Sequence, residues 1–393
     1  MEDFNKSLLR PVWVEIDLDA LDHNFKETRR LVGGDVKIIC CLKANAYGIG
    51  APEVAEEVIS MGAYGIAVAD LFEAIMLRKR GIKVPVLIYA NNLPSAVDTI
   101  IAYNLIPTIT DLESARLYSS QTKSPLDVYV KIDVGLNRVG VLPEEAVSFV
   151  QKLTDFDNIN VAGIYTHPHF SEDDAYVNWQ LSKLRDVIGE LQANGIDIPI
   201  KMAASTRFIV QFPNSYLNAV DPGRLILGNP QVKQPRQQIL LKPVIRSLKT
   251  RIIAKKRIKP RREFEKQAPF QVPKEMIVGI IPIGWGDGYS QKHSSIGPVL
   301  VSGKRVSILD GIALEHTRID LTDIPEAKVG DEVVLIGKQG DEEISLDEII
   351  AIRGTNLHEI GQSLRNEIPR LYIKNGRPYK LKTPLEEIIL KTC

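Results

Sequence analysis

The chain is poor in cysteine: three in 393 residues, two of them adjacent (Cys40, Cys41) and one terminal (Cys393). That excludes a disulfide framework. Cys40 and Cys41 read as small buried hydrophobes, which fits a reducing, cytoplasmic setting. There is also no charge excess, with 49 Lys+Arg against 49 Asp+Glu. Nothing in bulk charge therefore favours nucleic acid or an acidic membrane as partner. No apolar run approaches the ~18 residues of a membrane span. The opening Met-Glu-Asp-Phe-Asn-Lys carries no apolar segment of the secretory type. Internal repeats and low-complexity segments are absent as well.

What is present is alternation. A short strand pattern at 12–16 leads into a helix near Asp17 with Leu21, Phe25 and Val32 on one face. Short apolar strands then alternate with amphipathic helices, at 36–42, 64–68, 84–89, 106–109, 127–132, 160–165, 198–203 and 217–221. Pro52 opens one helix, running to Met61, and Asp70 with Glu73 has capping-box spacing for another, ending at Arg80. Eight βα units in about 200 residues predict an α/β protein. A closed barrel is the simplest arrangement of eight, although pattern alone also permits an open, doubly wound sheet.

The character changes near residue 240. Ser247 to Lys266 is rich in Lys and Arg and reads as a solvated strand face and loop. Strands follow at 275–282, 297–301, 304–309 and 331–337, and a helix at 346–352 is capped by Ser345 and Glu348. Pro384 to Cys393 reads as a short amphipathic tail. The predicted division is a barrel over 12–240 and a mostly β domain over 241–393.

Chemistry concentrates first at Cys40-Cys41-Leu42-Lys43-Ala44-Asn45-Ala46-Tyr47-Gly48. A lysine that ends a buried strand is costly unless it is paired, covalently bound or deprotonated. Desolvation favours the neutral amine, which attacks carbonyls, so Schiff-base chemistry suits this position. Lys43-Ala-Asn-Ala-Tyr47-Gly closely resembles the signature of alanine racemases. The likeness extends to Lys131-Ile-Asp-Val-Gly-Leu-Asn-Arg138, Gly163-Ile-Tyr-Thr-His167 and Gly284-Trp-Gly-Asp287-Gly-Tyr289, in the family's order across most of the chain.

The resemblance implies a (β/α)8 TIM barrel followed by a β domain, with residues 1–11 joining the latter. It implies pyridoxal 5'-phosphate (PLP) bound on Lys43, which also serves as a base for the substrate α-proton. The phosphate is expected at Tyr47, Ser205 and the backbone N–H groups of Gly223 and Arg224. Arg138 is expected to face the substrate carboxylate and the cofactor, positioned by Lys131, either carbamylated or in an ordinary salt bridge such as one with Asp133. His167 is the expected active-site histidine, with His169 the alternative two residues on. His-x-His followed by acidic residues has metal-ligand character, but no second cluster accompanies it, so no metal is expected. All these positions fall at strand C-termini, where barrel enzymes place their chemistry.

Four positions depart from the family pattern as the resemblance reads it. Trp285 stands where a partner-subunit tyrosine serves as second base, and an indole cannot accept a proton. Asp221 replaces the arginine facing the pyridine nitrogen, Leu314-Glu315 replaces the pocket-lining methionine-aspartate pair, and His358 replaces a phosphate-binding tyrosine. A carboxylate at 221 keeps a ring nitrogen protonated and strengthens the electron sink. Three readings stay open: His167, oriented by Asp221, replaces the missing base; Asp221 bonds the pyridine nitrogen while His167 only packs; or Asp221 turns away and Arg224 takes its place. The expected activity is racemisation of an amino acid by a homodimer with shared sites. Another PLP carbanion reaction (decarboxylase or aldolase-like) and a non-catalytic PLP carrier are the alternatives, and the second domain counts against the carrier.

Overall fold

The computed structural model describes residues 8–89, 93–260, 270, 272–294 and 296–390, leaving aside the side chains of Pro94 and His358. The chain forms two units, one from Ala20 to Lys242 and the other combining the segment up to Asp19 with Pro243 onward.

The first unit is a closed barrel of eight parallel strands. With Val12–Asp17 as β1, they are β2 (Lys37–Cys41), β3 (Gly65–Val68), β4 (Val86–Ile88), β5 (Ile106–Ile109), β6 (Leu126–Ile132), β7 (Ile159–Thr166), β8 (Ile200–Ser205) and β9 (Ala219–Asp221). Each pairs with the next, and β9 closes on β2 through Lys37↔Ala219 and Ile38↔Val220. The apolar runs become strands because both faces are covered, one by helices and one by the barrel interior. That interior is filled by Ile39, Ala67, Leu87, Tyr129, Tyr165, Ile200, Met202 and Ala219, so it is a packed core rather than a pore. Outside it lie helices such as Leu18–Val32, whose Leu21 and Phe25 are buried, and Leu71–Lys79. The latter starts where Asp70 accepts the N–H of Phe72 at 2.7 Å, a capping bond that satisfies one otherwise orphaned donor.

The second unit is built on a nine-stranded sheet and a separate three-stranded one. Strand β1, which the periodicity assigned to the barrel side of the chain, lies in this larger sheet instead. It runs antiparallel to Ile245–Arg251 and parallel to Arg370–Lys374. Its burial on both faces, with Val12, Trp13, Val14 and Ile16 inaccessible, matches a central strand of either unit, so its apolar pattern carries no information about which. The expected C-terminal tail supplies a further strand, Glu387–Ile389, paired with Arg377–Lys382. In the basic stretch, Arg257 meets Glu275 at 3.1 Å and Lys255 caps two carbonyls, while residues 261–269 and, at the other end of the chain, 1–7 lie outside the described residues. No helix among the described residues is long and apolar enough to cross a membrane.

Candidate active site

At the C-terminal ends of the barrel strands lies a cavity of about 350 Å³. Its lining residues all belong to the barrel unit. It brings together Lys43, Tyr47, Lys131, Arg138, His167, Ser205, Asp221, Gly223 and Arg224, every candidate that the sequence placed after a barrel strand.

Lys43 follows β2 and Leu42, and is partly buried. The next four residues, Ala44, Asn45, Ala46 and Tyr47, all take left-handed conformation, with φ between 50 and 57°. Each such non-glycine residue costs roughly 1–2 kcal/mol, so the turn must be held from outside. Glu73 accepts the N–H of Asn45 at 2.5 Å, the Asn45 side chain accepts the N–H of Ala51 at 2.8 Å, and Ala46 bonds back to the Leu42 carbonyl. The turn brings the Tyr47 hydroxyl to 3.7 Å from the Cys41 sulfur, in the cavity that Lys43 also lines. Burial raises the Tyr47 pKa, so the phenol stays protonated and can donate.

A side chain at Gly223 would displace the Tyr47 hydroxyl. A Cβ there would fall 2.6 Å from the Tyr47 hydroxyl and 3.2 Å from the Cys41 carbonyl oxygen. The space it leaves opens beside the Thr206 hydroxyl, which accepts the N–H groups of Gly223 at 3.4 Å and Leu225 at 3.2 Å. Those two N–H groups are spent on Thr206, while the Tyr47, Ser205 and Thr206 side chains and the Arg224 guanidinium line the same concave spot, which has the chemistry of an anion cradle. Arg224 lies 5.8 Å from the centre of the Tyr47 ring.

Across the cavity, Asp133 organises the loop that carries Arg138. One carboxylate oxygen accepts the N–H groups of Gly135, Leu136 and Asn137, and the other accepts that of Arg138 at 2.7 Å. Burial acts against ionisation of Asp133, but the four bonds outweigh it and its pKa falls. Asp133 is committed to the loop, and no ion pair involves Lys131 among the described residues, so the ordinary salt bridge considered for Lys131 is not formed. Lys131 is buried, and burial together with the nearby Arg138 charge lowers its pKa to about 8.

The expected pairing of His167 with Asp221 is also not formed. Asp221, buried at 8% exposure, instead accepts the Tyr89 hydroxyl at 2.8 Å. Burial lifts its pKa to about 7, against the opposing pull of Tyr89, Lys43 and Lys131. His167 faces the cations instead: burial, then Lys43, Arg138 and Lys131, lower its pKa to about 4. Of the two histidines, His167 lines the cavity, and Gln180 holds the backbone of the other. The fully buried Gln180 amide bonds both the N–H and the carbonyl of His169, leaving that ring exposed against Tyr176. No group of three metal-ligating side chains occurs among the described residues.

Trp285, Leu314 and Glu315 belong to the second unit. The N–H groups of Trp285 and Gly286 donate to the carbonyls of Ala313 and Leu314. Gly284 is obligatory there, since a Cβ would fall 2.1 Å from the Ala313 oxygen. Asp287, fully buried, is gripped by Arg10 through both carboxylate oxygens at 2.7 and 2.6 Å. The loop is tied by these bonds, and it presents Trp285 at 49% and Leu314 at 51% exposure. Glu315 pairs with Arg365 at 3.4 Å. The side chain of His358 lies outside the described residues. Sequence reasoning missed Tyr89, Thr206 and Gln231, all cavity-lining. Tyr89 directly follows β4, so the strand-end rule that found Lys43 would have found it.

A parallel barrel with a strand-end lysine, an anion cradle and a buried carboxylate, joined in one chain to a β domain, defines a barrel enzyme of the amino-acid racemase type. The family description "Alanine racemase, N-terminal domain" matches residues 16–230, and "Alanine racemase, C-terminal domain" matches 245–372. An alanine racemase of Halothermothrix orenii is 35% identical over 373 residues, covering 94% of this chain and 98% of the relative. Alanine racemase 1 of Clostridium acetobutylicum is 34% identical over 383 residues, covering 95% and 98%. The solved alanine racemase of Clostridium difficile 630 superposes with a TM-score of 0.87 at 26% identity, covering 97% of this chain and all of that one. The chain belongs to the alanine racemase family. It is an amino-acid racemase, an isomerase.

Proposed function

We propose that the enzyme interconverts the L- and D-enantiomers of alanine or a similarly small α-amino acid, with PLP held on Lys43. The observation that carries this is the convergence on one cavity of Lys43, the Gly223 cradle and the Asp221 carboxylate. The donor set fits the cofactor: an amine for its aldehyde, hydroxyl and guanidinium donors for its phosphate, and a carboxylate for its ring nitrogen. PLP, when bound, supplies the electron sink that makes a substrate α-proton acidic.

The chain's own residues then do the rest. Lys43 takes and returns the α-proton on its side. Arg138, fixed by the Asp133 loop, holds the substrate carboxylate, since a guanidinium matches a carboxylate bidentately. Lys43, Lys131 and Arg138 together outnumber Asp221 around the cavity, and a carbamate on Lys131 would relieve that excess. The reaction consumes the neutral amine and CO₂ and releases one proton. A lysine with a pKa of about 8 offers roughly a tenth of its molecules as neutral amine near pH 7. His167, with its pKa near 4, is a neutral imidazole at physiological pH and so an acceptor on the same cavity. Trp285 cannot take a proton from the second face. We further propose a cytoplasmic homodimer in which Trp285, Leu314 and Glu315 complete the partner's site, with His358 toward the phosphate.

The test is incubation of the purified protein and PLP with each L- and D-amino acid in deuterium oxide. Chiral analysis with α-deuterium incorporation is expected to show inversion and exchange together. Carbon dioxide release, or binding without exchange, would sink the racemase reading.

A further inference from the structure

Among the described residues, two arginines near the cradle have no carboxylate. Arg224 leaves the turn after β9, and Arg207 sits in the first turn of the short helix Thr206–Gln211. Neither forms an ion pair among the described residues, although both are partly buried. Arg207 stacks over the Phe170 ring at 5.0 Å, and its Nε is buried without a hydrogen-bond partner. Arg224 is held only by neutral groups. With its amide turned so that the carbonyl faces the guanidinium, Gln231 accepts from Nη1 and from Nε. Gln231 itself is kept in a left-handed conformation, φ 62°, to reach it.

The two charges also feel one another. Burial lowers the Arg224 pKa, and the Arg207 charge acts in the same direction. Two like charges brought together, partly desolvated and unpaired, are costly unless an anion joins them. Arginine suits that task because its fork matches phosphate oxygens and it stays charged when buried.

We propose that the Arg224 side chain is a direct ligand of a phosphate dianion seated at the Gly223 cradle, with Arg207 supplying the second compensating charge. This rests on the PLP reading and extends it: the phosphate, not the ring, dominates cofactor affinity. Hydrogen bonds between charged groups are the strong ones. Losing the Arg224 fork should therefore weaken phosphate-bearing ligands by roughly 10–100-fold.

The experiment uses the full-length chain stripped of cofactor and compares its affinity for PLP, for pyridoxal and for inorganic phosphate. Arg224→Gln should lose roughly 10–100-fold for PLP and for phosphate, and little for pyridoxal, which shares the ring and aldehyde. Arg224→Lys should recover part of the loss. Arg207→Gln should weaken both phosphate-bearing ligands less than Arg224→Gln and should flatten their salt dependence. Equal losses for PLP and pyridoxal would make Arg224 a packing residue, and unchanged phosphate affinity in Arg224→Gln would remove the clamp altogether. If the wild-type chain binds phosphate but neither PLP nor pyridoxal, the cofactor reading fails while the clamp stands.

Discussion

The Tyr89 hydroxyl donates to Asp221 Oδ2 at 2.8 Å, joining the ends of β4 and β9 across the barrel mouth. A phenol donor stabilises the ionised carboxylate, so Tyr89 opposes the burial that lifts Asp221 to about 7. Replacing Tyr89 with Phe should push Asp221 higher still, by roughly one to two pH units. In the cofactor-free chain, infrared titration of the carboxyl should show a step near pH 7 that moves upward in Tyr89→Phe and vanishes in Asp221→Asn. A step that survives Asp221→Asn belongs to another group.

Lys43 should be the point of covalent attachment. Borohydride reduction of the PLP-loaded protein should fix the cofactor on the peptide containing Lys43. Lys43→Ala should still take up PLP at the cradle but lose racemisation by several orders of magnitude. Label recovered on Lys131, the other amine in the cavity, would overturn the assignment.

Carbamylation of Lys131 makes a chemical prediction. ¹³C-labelled bicarbonate should yield a carbamate carbonyl resonance that is absent from Lys131→Ala. Thorough removal of CO₂ should lower activity, and bicarbonate should restore it. The signal should weaken as pH falls below about 8, because protonation of the amine then competes with CO₂. No resonance at pH 8.5 would leave Lys131 a plain cation.

Trp285 and Leu314 are held outward by backbone bonds and by a glycine that admits no side chain. Large apolar side chains held exposed in this way suit burial against a second copy. Leu314→Lys should shift the protein toward monomer in sedimentation, with activity falling in step as it is diluted. An active monomer would contradict the shared site.

The barrel strands were legible in the apolar runs, whereas closure of the barrel and most site residues came from the family resemblance, with which two local rules agree. Buried parallel strands are short apolar runs, and barrel chemistry sits where those runs end. The same rules could not place β1, since a strand buried on both faces looks alike in either unit. Nor could they find Asp221's partner: Tyr89 lies 132 residues away, and the contact exists only because the barrel closes. One expectation gave that role to His167, because the resemblance implies a hydrogen-bonded chain joining that histidine to position 221. Burial, with three nearby cations acting in the same direction, turned its environment the other way.

Those opposite environments should appear in stability as well as catalysis. Asp221 has a folded pKa of about 7, above its ordinary 3.8. Its contribution is therefore fully present below about pH 4 and is lost as pH rises through 7. His167 has a folded pKa of about 4, below its ordinary 6.5. Its contribution is present above pH 6.5 and is lost as pH falls through 4. In the cofactor-free chain, Asp221→Asn should thus gain on wild type between pH 4 and 8, by on the order of 1–4 kcal/mol. His167→Asn should show its relative gain only below about pH 6. Denaturant midpoints measured from pH 4 to 9 separate the two, because the pH trends of the substitutions run in opposite directions. An Asp221→Asn difference that stays constant over that range would mean the carboxyl is not the titrating group. The Tyr89 bond would then serve only to close the barrel mouth.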